Sequence, residues 1–380
     1  RGRRSMKWFL GLVAAVVLVL GGLYVYGRFF LPNTLDVTST ANVERPRASV
    51  FAMINDLRIA QEWSPHHARD PDGDYAISET PGEGQTMRWD SNVREIGAGR
   101  MTILSSIPNE SVEALIEIED RATLNSRIDL TRRDQTTHVS WSIGAACTGG
   151  WINVPCRYMN QIMASTVKAQ LDSGLARLKD RAEQLPPQDF EGYVIEEVPV
   201  SPQAVIFVDV ILNKGCLPQP QQRQAQEGQC VREAPTIAER IRAEERGIEA
   251  LASSVATAGG QADNRTLVRV FPQVNGVEGR FQFSVGRPYN GPAPVLVGAR
   301  VGQTPGGPML RASVVGRRSQ LPFMYQRIDA YRQAHRIGLR QGAEYWEIVT
   351  AVPQPAGADP NDPVEQTEIF YPIEPTRASR

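Results

Sequence analysis

Three sets of residues in this chain are of types and spacings that could do chemistry. Tyr345-Trp346-Glu347 places a carboxylate among rings in an apolar strand pattern, with Phe370 and Tyr371 in a second one. Successive strand side chains alternate faces, so Tyr345 and Glu347 share one face and Trp346 takes the other. Glu368, in Thr367-Glu-Ile-Phe370, is a second carboxylate in a comparable setting. His66 and His67 follow Trp63-Ser-Pro65, and a histidine titrates near neutral pH and can act as general acid or base. No Asp or Glu stands at a spacing that would orient either ring, and the plainer reading is a pair of solvated loop side chains. For Glu347 the plainer reading is a surface carboxylate on an edge strand.

The third set is the four cysteines, which fall into two local pairs, Cys147 with Cys156 and Cys216 with Cys230. The segment 217–229 is rich in Gln and holds Pro218 and Pro220, so it reads as an exposed insertion that a Cys216–Cys230 bridge would tie at its base. Closing a loop of about 15 residues is worth ~3 kcal/mol in the chain-entropy view. The alternative is four unrelated small buried residues. No Cys-x-x-Cys is present and the histidines (His66, His67, His138, His335) are scattered, so neither a metal nor another cofactor is expected. There is no Walker-type loop and no Gly-x-Ser-x-Gly elbow, and Gly97-Ala-Gly99 is a turn between strands. Formal net charge is −1 without a basic stripe in the body of the chain, which argues against a nucleic-acid partner.

Positioning starts at the beginning of the chain. Trp8 to Tyr26 carries no charge and follows Arg1, Arg3, Arg4 and Lys7. About 20 apolar residues cross a bilayer, and the basic flank is expected to stay in the cytoplasm. The expectation is a single-pass anchor in the cytoplasmic (inner) membrane, with everything after Arg28 extracytoplasmic or periplasmic. A cleavable signal peptide is the competing reading. The long apolar run and the residues Tyr24, Tyr26, Arg28, Phe29 and Phe30, standing where a small-x-small site would fall, weigh against it.

Four segments follow: 1–30 as basic flank and transmembrane helix, 35–183 as a first domain, 184–190 as a Pro-rich linker, and 191–375 as a second domain. Gln184-Leu-Pro-Pro-Gln-Asp189 cannot continue a helix and marks the boundary. The first domain opens with alternation at Leu35, Val37, Ser39, Ala41 and Val43. A helix starting at Pro46 carries Val50, Phe51, Ile54 and Leu57 on its apolar face. Alternating strands follow at 112–118, 124–130 and 139–143. A closing helix, from about Arg157 to Glu183, has the stripe Met159, Met163, Val167, Leu171, Leu175 and Leu178. A curved sheet cannot touch a straight helix along its whole length, so an apolar cavity is expected between them. Trp63, Met87, Trp89, Trp141 and Met163 are the candidates to line it, with plain core packing as the alternative.

The pieces Val37-Thr-Ser-Thr-Ala41, Pro46-Arg-Ala-Ser-Val-Phe-Ala-Met-Ile-Asn-Asp-Leu57, Glu62-Trp-Ser-Pro65, Met87-Arg-Trp89 and Gly97-Ala-Gly-Arg-Met101, with the closing helix, resemble the START-like (SRPBCC) family of polyketide cyclases/dehydrases and lipid-transfer proteins. The resemblance implies a helix-grip fold holding an apolar ligand. It implies no reaction, since the family holds enzymes and pure binders.

The second domain reads as two strands, a helix and two strands, twice over. Strand patterns at 194–198 and 204–212 precede a helix with Ile237, Ile241, Ile248 and Leu251 on one face, and strands near 267–271 and 281–285 follow. Then come strands at 295–301 and 310–315, a helix from Leu321 to about Ile337, and strands at 345–349 and 367–373. A duplicated unit of this kind would leave a cleft at its pseudo-twofold axis. Gly342-Ala-Glu-Tyr-Trp-Glu-Ile348, Gln366-Thr-Glu-Ile-Phe-Tyr-Pro-Ile373 and Tyr325-Gln-Arg-Ile-Asp-Ala-Tyr331 resemble the effector-binding domain shared by multidrug-responsive (AraC-type) activators and gyrase-inhibitor-like proteins. The segment between Cys216 and Cys230 departs from that pattern, and no helix-turn-helix precedes the domain in this sequence. The resemblance implies that Glu347 faces a cavity walled by aromatics and attracts cationic, lipophilic ligands, with Tyr345, Trp346, Phe370 and Tyr371 as candidate walls.

The fold class expected is therefore α+β, a helix-grip domain followed by a duplicated ββαββ domain behind one transmembrane helix. The function expected is binding or transfer of hydrophobic or amphipathic small molecules without catalysis, the partner being a lipophilic or cationic amphipathic molecule and the membrane being reached through the first helix. An enzyme of cyclase, dehydratase or hydrolase type using His66 or Glu347 is the alternative, and a partner-binding envelope protein a third.

Overall fold

The computed structural model describes residues 2–119, 122–149, 153–213, 235–257, 266–272, 280–289 and 296–375, and the chain divides between Glu191 and Gly192 into two compact units. The class is α+β, with two antiparallel sheets and an apolar N-terminal helix. The Pro-rich segment 184–190 is folded onto the first unit. Leu185 and Phe190 are buried, and Arg45 Nε donates to the Leu185 carbonyl at 2.6 Å. Arg132 and Arg47 pair with Asp189 (3.0 Å) and Glu191 (2.5 Å).

Helix α1 spans Gly2–Phe29. Its stretch Trp8–Phe29 is long and apolar enough to cross a membrane, about 33 Å at 1.5 Å per residue, and a signal sequence meets the same measure. The C-terminal end of α1 is docked on the first unit. Tyr158 Oη donates to the Leu23 carbonyl at 2.6 Å, and Arg157 Nη1 to the carbonyls of Arg28 (2.8 Å) and Leu31 (2.9 Å). Gly27 permits this approach, because a Cβ there would stand 2.5 Å from Val154 Cγ1 and 2.6 Å from the Tyr158 ring.

In the first unit, β1 (Thr34–Val43) leads into α2 (Arg47–Ile54) and α3 (Leu57–Ala60). The single helix expected from Pro46 is thus broken. Asn55 closes α2, and the Asp56 carboxylate caps α3 by accepting from the Arg58 amide at 2.9 Å. Strands β2 (Asp74–Ile77), β3 (Thr86–Asp90), β4 (Ala98–Ile107), β5 (Ser111–Ile118), β6 (Ala122–Arg133) and β7 (Thr136–Ala146) join β1 in a seven-stranded sheet of order β1-β7-β6-β5-β4-β3-β2. The long helix α4 (Val154–Ala182) follows, its start tied to the end of β7 by a Cys147–Cys156 disulfide with a Cα separation of 5.9 Å. The Cys216–Cys230 pair lies outside the described residues.

Helix α4 departs from expectation in one respect. Leu171, Leu175 and Leu178 are buried, whereas Met159 is 56% and Met163 39% exposed. Only the second half of the stripe meets the sheet. Gly174 brings the two together there, since a Cβ would stand 2.5 Å from the Trp141 ring. The first half stands off over the space described below.

The second unit comprises β8 (Ile195–Val200), β9 (Ala204–Asn213), α5 (Ile237–Thr257), β10 (Thr266–Phe271), β11 (Arg280–Pro288), β12 (Arg300–Gln303), β13 (Gly307–Arg317), α6 (Leu321–Ala334), β14 (Tyr345–Ala351) and β15 (Val364–Pro372). Of the strand expected over 295–301, only Arg300 and Val301 are strand, at the start of β12, while 296–299 are irregular and 295 lies outside the described residues. The sheet order is β12-β9-β11-β10-β14-β15-β13-β8. Period-two alternation sends Val268, Val270, Trp346 and Phe370 into one buried cluster and Arg269, Phe271, Tyr345 and Glu347 to the other face.

Candidate functional site

The first unit encloses a cavity of about 210 Å³ between the sheet, α2–α3 and the first half of α4. Inward positions of consecutive strands form its wall: Met101 and Ile103, Val112 to Ile118, Leu124 to Ile128, and Trp141 and Ile143. Trp63, Met87, Trp89, Trp141 and Met163, singled out in the sequence, all line this one space. Trp63 and Trp141 meet edge to face at 5.5 Å. Both indoles are anchored, Trp63 Nε1 donating to the Met53 carbonyl (3.0 Å) and Trp141 Nε1 to Ser126 Oγ (2.9 Å).

Trp89 Nε1 and His67 Nδ1 are buried without a hydrogen-bond partner among the described residues. His67 packs edge-on against Tyr75 at 5.0 Å. His66 lines the same space; burial, and then the Arg69 charge, lower its pKa, so its ring is uncharged at neutral pH. Neither histidine has a carboxylate within ion-pair distance among the described residues.

The second unit has its own pocket of about 310 Å³, between the N-terminal ends of α5 and α6 and the face of β11, β10 and β14. Rings pave it. Phe271 stacks on Phe283 (5.6 Å) and on Tyr345 (5.0 Å), and Tyr345 meets the Tyr325 ring at 5.2 Å. Glu347 and Tyr345 both line it. Trp346 does not: it lies on the opposite face, stacked on Phe370 at 4.1 Å. Glu368 pairs with Ile348 and shares that opposite face. Tyr371 stands on β15, its ring 6.2 Å from that of Tyr345.

The carboxylate of Glu347 is not free. Its Oε2 accepts from Arg269 Nη1 at 3.1 Å and its Oε1 from Tyr325 Oη at 2.6 Å. Burial and then the Glu347 charge hold the Tyr325 phenol well above its ordinary value, so it remains a donor. Arg269 in turn spends all five of its N–H groups on carboxylates. Nε and Nη2 reach Glu244 (both 2.9 Å), Nη1 and Nη2 reach Glu365 (3.0 and 2.9 Å), and Nη1 reaches Glu347. Arg318 closes the cluster with a contact to Glu244. Burial pushes Glu244 up, yet the two guanidiniums outweigh it and hold the carboxyl below its ordinary value.

Sequence reasoning singled out Glu347 and missed the other members of this cluster. The signals were present. Glu244 stands between Ile241 and Ile248 in the apolar stripe of α5, and Arg269 occupies an alternating apolar strand. A charge in such a place is almost never buried alone.

No protein-family model and no curated protein matches this chain. Solved structures similar to parts of it include protein CV1439 from Chromobacterium violaceum, at 15% identity and a TM-score of 0.30, covering 40% of this chain and 99% of that one. Ms6760 from Mycobacterium smegmatis is 17% identical with a TM-score of 0.29, covering 39% and 90%. The Aha1 dimer from Colwellia psychrerythraea is 13% identical with a TM-score of 0.29, covering 39% and 96%.

Proposed function

We propose that this is a single-pass membrane protein whose extracytoplasmic first unit binds or transfers an apolar or amphipathic small molecule without transforming it. One observation carries the reading. A wall of Ile, Val, Met and Trp side chains surrounds a cavity of about 210 Å³. An apolar body would displace water from the wall.

The attachment of α1 supports exchange at a bilayer. Tyr158, which hydrogen-bonds within the apolar stretch of α1, starts the half of α4 that carries the exposed Met159, Ile162 and Met163. Met163 also lines the cavity. Apolar side chains at that level suit an interface between lipid and water. The basic flank of α1 and the Cys147–Cys156 bridge fit a body outside the cytoplasm.

We read the first unit as a START-like helix-grip fold, α4 lying over a curved sheet with a cavity between. The second is read as a duplicated ββαββ unit of the effector-binding kind. Exchanging β8–β11 for β12–β15 reproduces the sheet order read backwards, which supports that reading.

Native mass spectrometry of the full chain, released from membranes in mild detergent, tests the proposal. The expected result is a co-purified lipophilic mass that a cavity-filling variant lacks. A ligand-free protein that also fails to take up a fluorescent acyl probe would overturn it.

A further inference from the structure

The pocket of the second unit presents one charge that no described residue balances. Arg240, on α5, lies over the Phe281 ring at 4.1 Å and donates from Nε to the Pro235 carbonyl at 3.2 Å. No carboxylate among the described residues is within ion-pair distance of it. Every other charge lining the pocket is engaged: Arg269 by three carboxylates, Glu347 by Arg269 and Tyr325, Arg318 by Glu244. Across the whole group, Arg240, Arg269 and Arg318 match Glu244, Glu347 and Glu365, so the sum is neutral. Local engagement then decides which sign an incoming ligand meets.

A lipophilic cation would find the cation–π seat on Phe281 already taken by Arg240 and both oxygens of Glu347 already bonded. A planar anion would find rings beside it and a guanidinium that has no carboxylate partner among the described residues, its two Nη groups open to a carboxylate. We infer that this pocket binds an aromatic carboxylate, its ring against Phe271 and Tyr345 and its acid group on Arg240. Burial lowers the pKa of Arg240 below its ordinary value; the Tyr345 phenol opposes this and the Arg318 charge adds to it. That is the state of a cation held short of counter-charge, which an anion would relieve. The volume, about 310 Å³, lies at the small end of the ~300–1,000 Å³ range of ligand pockets and suits a ligand of one or two rings.

The inference goes beyond the cavity of the first unit and does not depend on it. Calorimetry on the full chain in nanodiscs, with empty nanodiscs subtracted, tests it using three probes of one shape: 2-naphthoate, 2-naphthylmethanol and 2-naphthylmethylammonium. The naphthoate is expected to bind about ten- to a hundredfold more tightly than the neutral alcohol. Arg240→Gln should erase that preference while leaving the alcohol unchanged, and Arg240→Lys should retain part of it. Tightest binding of the ammonium probe, or a naphthoate preference that survives Arg240→Gln, overturns the inference. The order of the three probes on the wild-type chain decides the matter even if a variant fails to fold. Ala114→Phe, which fills the first cavity, should leave the naphthoate preference intact, so failure of one site is read separately from failure of the other.

Discussion

Arg269 and Glu347 stand directly opposite one another on β10 and β14, and the guanidinium donates to the carboxylate at 3.1 Å with both side chains at most 3% exposed. This relationship changes what Glu347 is. A carboxylate read in the sequence as a lure for external cations already has its cation, supplied by the neighbouring strand.

Removing Arg269 should therefore be far more damaging than removing Glu347. Arg269→Met leaves Glu244, Glu347 and Glu365 buried around a hole in the charge. Breaking a buried pair in this way costs about 3–5 kcal/mol. Glu347→Gln keeps one acceptor oxygen, enough for Arg269, and turns its NH2 to the Tyr325 hydroxyl, and should cost about 1–3 kcal/mol. Urea unfolding of the full chain, read by hydrogen exchange of the β10 and β14 peptides, compares the two. Equal losses would contradict the account.

The second unit should lose stability in acid. Glu244 has a folded pKa below its unfolded value of about 4.3. A depressed carboxyl contributes stability that is fully present above the unfolded value and is lost as pH falls through the folded one. Arg318→Gln raises the folded value, so the acid loss should set in at the same pH, be complete at a higher pH and be smaller in total. Unfolding midpoints measured from pH 7 to pH 3 should show this order; an unchanged acid profile in the variant would remove Arg318 from the explanation.

In the first cavity, Trp89→Phe keeps an aromatic wall but deletes the unpartnered N–H. The N–H has no surface toward the cavity, so a probe bearing a hydroxyl or carbonyl and a pure hydrocarbon probe should change alike, by less than about threefold. A selective loss of the polar probe would show that the indole turns its N–H to the ligand. Loss of both to the same degree would mean that Trp89 only shapes the wall. Ala114→Phe, by contrast, should weaken every ligand by occupying the space.

Reducing Cys147–Cys156, or replacing both by Ser, should cost about 2–4 kcal/mol of stability. The effect should concentrate at the start of α4, where Tyr158 and Arg157 hold α1. Hydrogen exchange over 153–165 in oxidised and reduced protein measures it, and identical protection would show that the bridge does not support the docking.

Much of the architecture was legible in the residues themselves. The apolar run of α1, the alternation of β1, β5, β6 and β7, the helices α4 to α6 and the strand at Tyr345 follow from periods of 2 and 3.6 acting on nearby residues. For Trp63, Met87, Trp89, Trp141 and Met163 the same periods left cavity lining and plain core packing equally open. Period alone could not say how far α4 stays in contact with that sheet. Met159 and Met163 repeat the spacing of Leu171, Leu175 and Leu178, and only the tertiary packing of α4 leaves the first two uncovered. Nor could it join the members of the charge cluster, even where Glu244 and Arg269 stand out in apolar patterns. Glu244, Arg269, Arg318, Glu347 and Glu365 come from separate elements, and each local pattern states which face a side chain takes but nothing of what stands opposite. Whether a buried charge is a site or a support depends on that opposite partner, and the partner is set by strand pairing and helix packing over long separations, which no local signal encodes.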